Sequence, residues 1–395
     1  MKRPRQVLSH PSSPLPESLP PWRWPRAAYI HVPFCAHHCG YCDFAVAAGQ
    51  DGMMDLYLEA LAAELATLGQ PQPVETLFIG GGTPTYLDVE RLDRLLTIIQ
   101  RWLRLAPAGE FSIESNPGTL TADKVAVLAD HGVNRVSLGA QSFHPQLLEV
   151  LERDHDPAEV PRAVELVRRR IARLSLDLIF GVPGQRLEQW QGDLQQALAL
   201  KPDHISTYGL TYEKGTRLWK QRRQELIQPL DEESELAMYT HAQDTLSAAG
   251  FEQYEISSFA RPGGRCRHNQ VYWANHAYFG FGMGAARYIE GRREVNTRDL
   301  KGYIRKALAG EPTAFQSEQL GPEERARETI AVQLRRVEGI ERASFQEQTG
   351  FSLDLLAGPS IARHVGLGLL SDQGDCVQLT RQGQAVADTV IEELM

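Results

Sequence analysis

The chain is short of cysteine. It has five in 395 residues, too few and too unevenly spread for the disulfide framework of a small secreted domain. It also lacks a long apolar run. No uncharged stretch approaches the ~18 residues that span a bilayer, and the N-terminus has no apolar core of signal-peptide length. Net positive charge is missing too. The formal charge is -9 and the pI is near 5.8, which argues against a general nucleic-acid binder with its basic face. The glycine run "GGGTPT" lacks the Gly-Lys-Ser/Thr that completes a phosphate loop.

What is present is an ordinary globular mixture, 42% hydrophobic and 23% charged. Its length calls for one large domain and a smaller one. Residues 1–27 are Pro-rich and expected to be flexible, with Trp22 and Trp24 available to pack down. From residue 28 to 215 six strand-like segments alternate with helical ones, beginning at "AYIHVPF" and ending at "DHISTYGLTYE". Parallel strands need such crossovers, so the alternation predicts an α/β sheet or barrel. Six units fall short of a full (β/α)8 barrel, and a partial (β/α)6 TIM-like barrel is expected. Its strand ends carry Cys35, Gly81, Glu114, Gln141, Asp177 and Tyr208, which the barrel would bring to one face. Residues 216–320 form a connecting segment rich in Gly and aromatics, with one helix at 231–249. Residues 321–395 read as three helices, a hairpin and a last helix, a mostly helical, winged-helix-like domain.

Three of the five cysteines fall in "CAHHCGYC", spaced C-x3-C-x2-C as Cys35, Cys39 and Cys42. Thiolates suit iron–sulfur clusters and zinc. Three ligands on a four-iron cluster leave one iron open to a substrate or cofactor. The alternative is structural zinc, with His31, His37 or His38 as a fourth ligand. A tight triplet at a strand end favours iron–sulfur, because closed zinc sites usually take two ligand pairs.

C-x3-C-x2-C with an aromatic residue before its last cysteine resembles the signature of the radical SAM superfamily. "YIHVPFCAHHCGYCDF", "GGGTPTYL", "ESNPG", "GAQSF", "LDLIFGVPGQ" and "HNQVYW" together resemble one of its branches. That branch contains oxygen-independent coproporphyrinogen III oxidases and haem chaperones related to them. The resemblance covers roughly residues 28–390. It implies a [4Fe-4S] cluster on Cys35, Cys39 and Cys42, with S-adenosyl-L-methionine chelated by the open iron. It implies that Tyr29, Gly81 and Glu114 contact that S-adenosylmethionine. Tyr41, Gly82, Thr83, Gln141, Arg153 and Asp177 match positions lining a neighbouring pocket. Read without the resemblance, Glu114 also fits a helix cap or ion pair, and Arg153, in "LERDHD", a surface ion pair.

Two features separate the branch members. The oxidases carry a further cysteine two positions after the third, where this chain has Phe44. "HNQVYW" matches the chaperone-like members and makes His268 a candidate haem ligand, flanked by Tyr272 and Trp273, with Cys266 nearby. The other reading of this stretch is a buried His–Asn corner among core aromatics. The resemblance thus implies haem binding and transfer to acceptor haem proteins, a ferredoxin- or flavodoxin-type electron donor, and a cytoplasmic location. No nucleic acid is expected as a partner, and coproporphyrinogen oxidation is not expected as an activity.

Overall fold

The computed structural model describes residues 19–395. Most of the expected flexible segment, residues 1–18, lies outside the described residues. Within it, Trp24 packs edge-on against Phe279, and Trp22 lies beside His276.

Six strands follow the predicted segments: β1 (Ala27–Val32), β2 (Gln72–Gly81), β3 (Leu103–Ser115), β4 (Arg135–Gln141), β5 (Arg173–Phe180) and β6 (His204–Gly209). They pair in order, all parallel. Runs such as "AYIHV" and "LSLDLIF" suit strands covered on both faces. Outer helices such as Val89–Trp102 and Glu159–Arg168 turn Leu92, Leu95, Leu96, Val160 and Val164 onto the sheet. Asp88, Thr121 and Asp231 cap three of these helices by accepting a backbone N–H.

The sheet does not stop at residue 215. The connecting segment adds β7 (Glu252–Gln253), β8 (Ser258–Ala260) and β9 (Phe279–Phe281). β8 runs antiparallel to β6, and β9 runs parallel to β1. The order is β9-β1-β2-β3-β4-β5-β6-β8-β7, an open sheet that curls into a partial barrel. The expected boundary at 215/216 therefore cuts through one sheet. One apolar core runs from Ala28 to Ala307 without a break there.

A second core gathers Ala326, Ile330, Phe345, Ile361, Val377 and Val390. Its helices, Pro322–Gln333, Arg342–Thr349 and Leu353–Gly366, precede a hairpin of Leu370–Asp372 with Cys376–Leu379, as a winged-helix-like unit requires. Among the described residues no helix is long and apolar enough to cross a membrane.

Candidate functional site

Cys35 closes the short strand Phe34–Cys35 just beyond β1. The loop after it carries Cys39, Tyr41 and Cys42. Gly40 sits between the cysteines and is clamped on both sides: its N–H donates to Leu151 O (3.2 Å), and its O accepts from Leu218 N–H (2.9 Å). All three thiols are free. They open into a cavity of about 600 Å³. That cavity is also lined by Tyr41, Gly81, Gly82, Thr83, Glu114, Gln141, Arg153 and Asp177. Every predicted cofactor residue except Tyr29 and His268 therefore meets there.

The glycines of "IGGGT" are demanded by their neighbours. Gly81 has φ +109, and a Cβ on it would lie 2.5 Å from the His31 ring. A Cβ on Gly80 would strike Glu114, and one on Gly82 the Pro33–Phe34 backbone. The Gly81 N–H donates to Glu114 Oε2 at 3.0 Å, which seats the carboxylate at the cavity wall. Burial pushes the Glu114 carboxyl up to about 7, against the lowering pull of that bond. Asp177 accepts from the Ser137 and Ser206 hydroxyls, both at 2.8 Å, while burial raises its pKa. Gln141 ends β4 at φ +61, an uncommon left-handed conformation for a residue other than glycine.

Two donors face the sulfurs. Thr83 Oγ1 points at Cys35 Sγ (3.7 Å), and Arg153 Nη1 at Cys39 Sγ (3.4 Å). Arg153 also donates from Nη2 to Gly139 O (2.9 Å), and its buried Nε has no partner. It is a cavity residue and not the surface ion pair that its acidic neighbours suggest. Burial pushes the Cys35 thiol up to about 12 and the Cys42 thiol up to about 11, so metal binding there must displace protons. Among the described residues no three His, Cys, Asp or Glu side chains converge tightly enough to hold one metal ion. Three separate free thiols, two donors facing them and a roomy cavity fit an iron–sulfur cluster better than a closed single-ion cage. His31, weighed as a zinc ligand, is instead bonded to Tyr29 (3.0 Å) and Ala45 O (2.8 Å).

A second cavity, about 510 Å³, occupies the barrel interior. It shares Asp43, Phe44, Glu114, Ser137, Asp177 and Tyr208 with the first, so the two adjoin. Tyr29 lines this inner cavity beside Glu114. The far end is closed by the helix Arg267–Trp273, which carries "HNQVYW". Glu110 caps that helix, accepting from the N–H groups of Arg267 and His268, both at 3.0 Å.

The structure places His268 in the wall of the inner cavity. It is 0% exposed, and both ring nitrogens are taken, Nδ1 by the Thr76 hydroxyl (2.9 Å) and Nε2 by the Tyr272 hydroxyl (2.8 Å). Its ring stacks on Phe78, and burial lowers its pKa to about 3. It is a hydrogen-bonded corner of the barrel floor, and haem iron would have to displace one of the two hydroxyls to reach a ring nitrogen. Cys266 is likewise buried, its Sγ on Glu110 Oε1 (3.5 Å). Sequence reasoning missed Ser137 and Ser206, which hold Asp177. The inward alternation of polar residues along "RVSLGAQ" and "HISTYG" was the available signal.

The family described as the radical SAM superfamily matches residues 29–197, and that described as the HemN C-terminal domain matches 320–386. The heme chaperone HemW of Bacillus subtilis (strain 168) is 39% identical over 92% of this chain and 98% of that protein. HemW of Escherichia coli (strain K12) is 34% identical over 93% of this chain and 97% of that protein. Coproporphyrinogen III oxidase (HemN) from Escherichia coli, a radical SAM enzyme, shares the fold, with a TM-score of 0.82 at 22% identity over 95% of this chain and 90% of that one. With relatives this similar over nearly their whole length, the chain belongs to the HemW family of the radical SAM superfamily.

Proposed function

We propose that this chain is a cytoplasmic haem chaperone that binds haem and delivers it to acceptor haem proteins. In this reading Cys35, Cys39 and Cys42 hold a [4Fe-4S] cluster, and S-adenosylmethionine occupies the adjoining cavity. The observation that carries it is the convergence of three free thiols with Gly81, Glu114, Gln141 and Asp177 from four other strands around one cavity. Phe44, standing where a further cysteine would favour oxidase chemistry, and relatives named heme chaperone support the rest.

A cluster with one open iron, held by Cys35, Cys39 and Cys42, would supply one-electron reducing power to a chelated sulfonium when bound. The chain's own residues bind and orient. The Thr83 hydroxyl and the Arg153 guanidinium aim hydrogen-bond donors at the Cys35 and Cys39 sulfurs. Glu114, fixed by the Gly81 N–H, accepts a hydroxyl or ammonium of the cofactor. Tyr29 adjoins it, and Tyr41, Gly82, Gln141 and Asp177 line the remaining wall. Phe44, 62% exposed, lies at the junction of both cavities as an apolar surface for a flat ligand. Electrons come from a ferredoxin- or flavodoxin-type donor.

The test is anaerobic reconstitution followed by haem and S-adenosylmethionine binding on the same sample. About one haem per chain is expected, and a Cys35→Ala, Cys39→Ala, Cys42→Ala variant should lose the cluster. No haem binding, together with CO2 release from coproporphyrinogen, would make the chain an oxidase instead.

A further inference from the structure

The chain is acidic overall, yet residues 214–224, "KGTRLWKQRRQ", hold Lys214, Arg217, Lys220, Arg222 and Arg223 and no acid. All five side chains are exposed. Ion pairs are plentiful elsewhere on the surface. Here only Arg217 has one, to Glu152 (3.0 Å); among the described residues the other four cations have no carboxylate partner. Two are held in place by aromatic faces, Arg222 over Tyr212 (4.8 Å) and Arg223 over Trp219 (5.1 Å). The patch is therefore an ordered positive surface, four of whose cations form no direct ion pair, bordered by Glu213, Glu225 and Glu235.

Its place matters as much as its charge. The helix Arg217–Arg223 is pinned to the cysteine loop by the Leu218 N–H bond to Gly40 O. Gly40 is the residue after Cys39 and two before Cys42. A Cβ on Gly40 would touch Glu152, the partner of Arg217, so loop and helix are tightly apposed. The positive surface thus lies on the outer side of the loop whose inner side presents the thiols.

We propose that the helix Arg217–Arg223 is the docking surface for a small acidic electron-carrier protein, which reduces the site held by Cys35, Cys39 and Cys42. This rests on the reading of those cysteines as cluster ligands. The reduced carrier loses one electron and the oxidised cluster gains it; no bond or proton is exchanged. Of the two apolar residues of the helix, Leu218 is buried and Trp219 is half-buried beneath Arg223, which leaves little apolar face to enter a bilayer. An extended polyanion would also meet the negative charge of the rest of the chain, whereas a compact acidic protein covers only the patch.

The experiment uses the full chain, reduced [2Fe–2S] ferredoxin as the probe, and stopped-flow mixing without oxygen. Lys220→Glu, Arg222→Glu, Arg223→Glu should lower the second-order rate of cluster reduction by about tenfold or more at low salt. The Gln versions of the three should fall between. Added salt should slow the wild type and close the gap. Arg168→Glu, Arg169→Glu, Arg170→Glu, the same charge change near Lys201 and the strands' opposite ends, should alter the rate by less than about twofold. Binding of oxidised ferredoxin to chain without cluster should follow the same order. Dithionite, which needs no docking, should reduce every variant alike.

Equal carrier rates in wild type and the 220/222/223 reversal would overturn the docking surface, as would equal losses in both reversals. Binding of the patch to phosphatidylserine vesicles or duplex DNA in preference to ferredoxin would overturn it too. A sample with no cluster for dithionite to reduce would instead overturn the reading of the cysteines.

Discussion

Gly81 and Glu114 show how closely single residues are constrained here. Gly81→Ala would put a Cβ 2.5 Å from the His31 ring on a backbone at φ +109. Strain of that kind costs about 1–3 kcal/mol. The N–H that seats Glu114 would move with it, so S-adenosylmethionine affinity should fall about tenfold or more, which is roughly 1.4 kcal/mol. Anaerobic calorimetry measures it, and unchanged affinity would remove Gly81 from the cofactor wall. Glu114 gives a pH signature. Its carboxyl titrates at about 7 in the fold against 4.5 ordinarily, so the folded state holds its proton more tightly. The associated stability is complete below pH 4.5 and is lost as pH rises through 7. Each unit of displacement is worth about 1.4 kcal/mol. Glu114→Gln stays neutral throughout and keeps an acceptor for Gly81. Its Tm relative to the wild type should therefore rise between pH 5 and pH 8 in protein without cluster. A difference independent of pH would show that the carboxyl titrates normally.

At the scale of elements, the barrel's closing edge hangs on one buried carboxylate. Glu64, on the helix Met54–Ala66, accepts from Gly282 N–H (2.8 Å), Asn296 Nδ2 (2.7 Å), Tyr303 Oη (2.7 Å) and Thr313 Oγ1 (2.8 Å). Those partners follow β9 or hold the helix Leu300–Leu308. Glu64→Ala strands the Gly282 N–H and the Tyr303 hydroxyl, whereas Asn296 Nδ2 keeps Gly282 O and Thr313 Oγ1 keeps Asn296 Oδ1. With about 1–3 kcal/mol for each orphaned group, a loss of about 2 kcal/mol or more is expected. Glu64→Gln, which still accepts, should cost less. Urea unfolding followed by tryptophan fluorescence compares them, and equal losses would deny Glu64 this role. None of this was legible in "ALAAELATLG", where Glu64 reads as one more polar residue of a helix. The six parallel strands were legible, because apolar runs, glycine stops and helical periodicity are local signals. β9 was not. "YFGFG" earns its place beside β1 only through contacts distant in sequence, and its glycines argue against a strand locally. His268 shows the same limit: Thr76, which occupies its Nδ1, lies 192 positions away. The grouping of Cys35, Cys39 and Cys42 needed no such contact and was readable from spacing, which by itself left iron–sulfur and zinc both open.

For the whole molecule, the two cores meet where the "HNQVYW" helix ends. Gln333 and Gln348 of the C-terminal unit both donate to Ala274 O, at 3.1 and 3.0 Å, and Gln348 also to Asn275 O (3.1 Å). Asn275, at φ +52, returns a bond to the Thr329 hydroxyl (2.9 Å). Arg335 lies over the Trp273 ring at 5.3 Å. The winged-helix-like unit thus holds the plug that closes the inner cavity, while the cysteine loop is fixed separately by Leu151 and Leu218. This gives a packing role to a fold that alone assigns no function. It also predicts which motions separate. Gln333→Ala with Gln348→Ala should raise amide hydrogen exchange across residues 267–277 and leave the loop at 35–42 unchanged. Haem retention should weaken if haem uses the inner cavity, whereas the iron content of reconstituted protein should not change. Exchange that rises equally in both segments would mean that the barrel opens as one unit, with the C-terminal unit supporting its stability as a whole and not the plug.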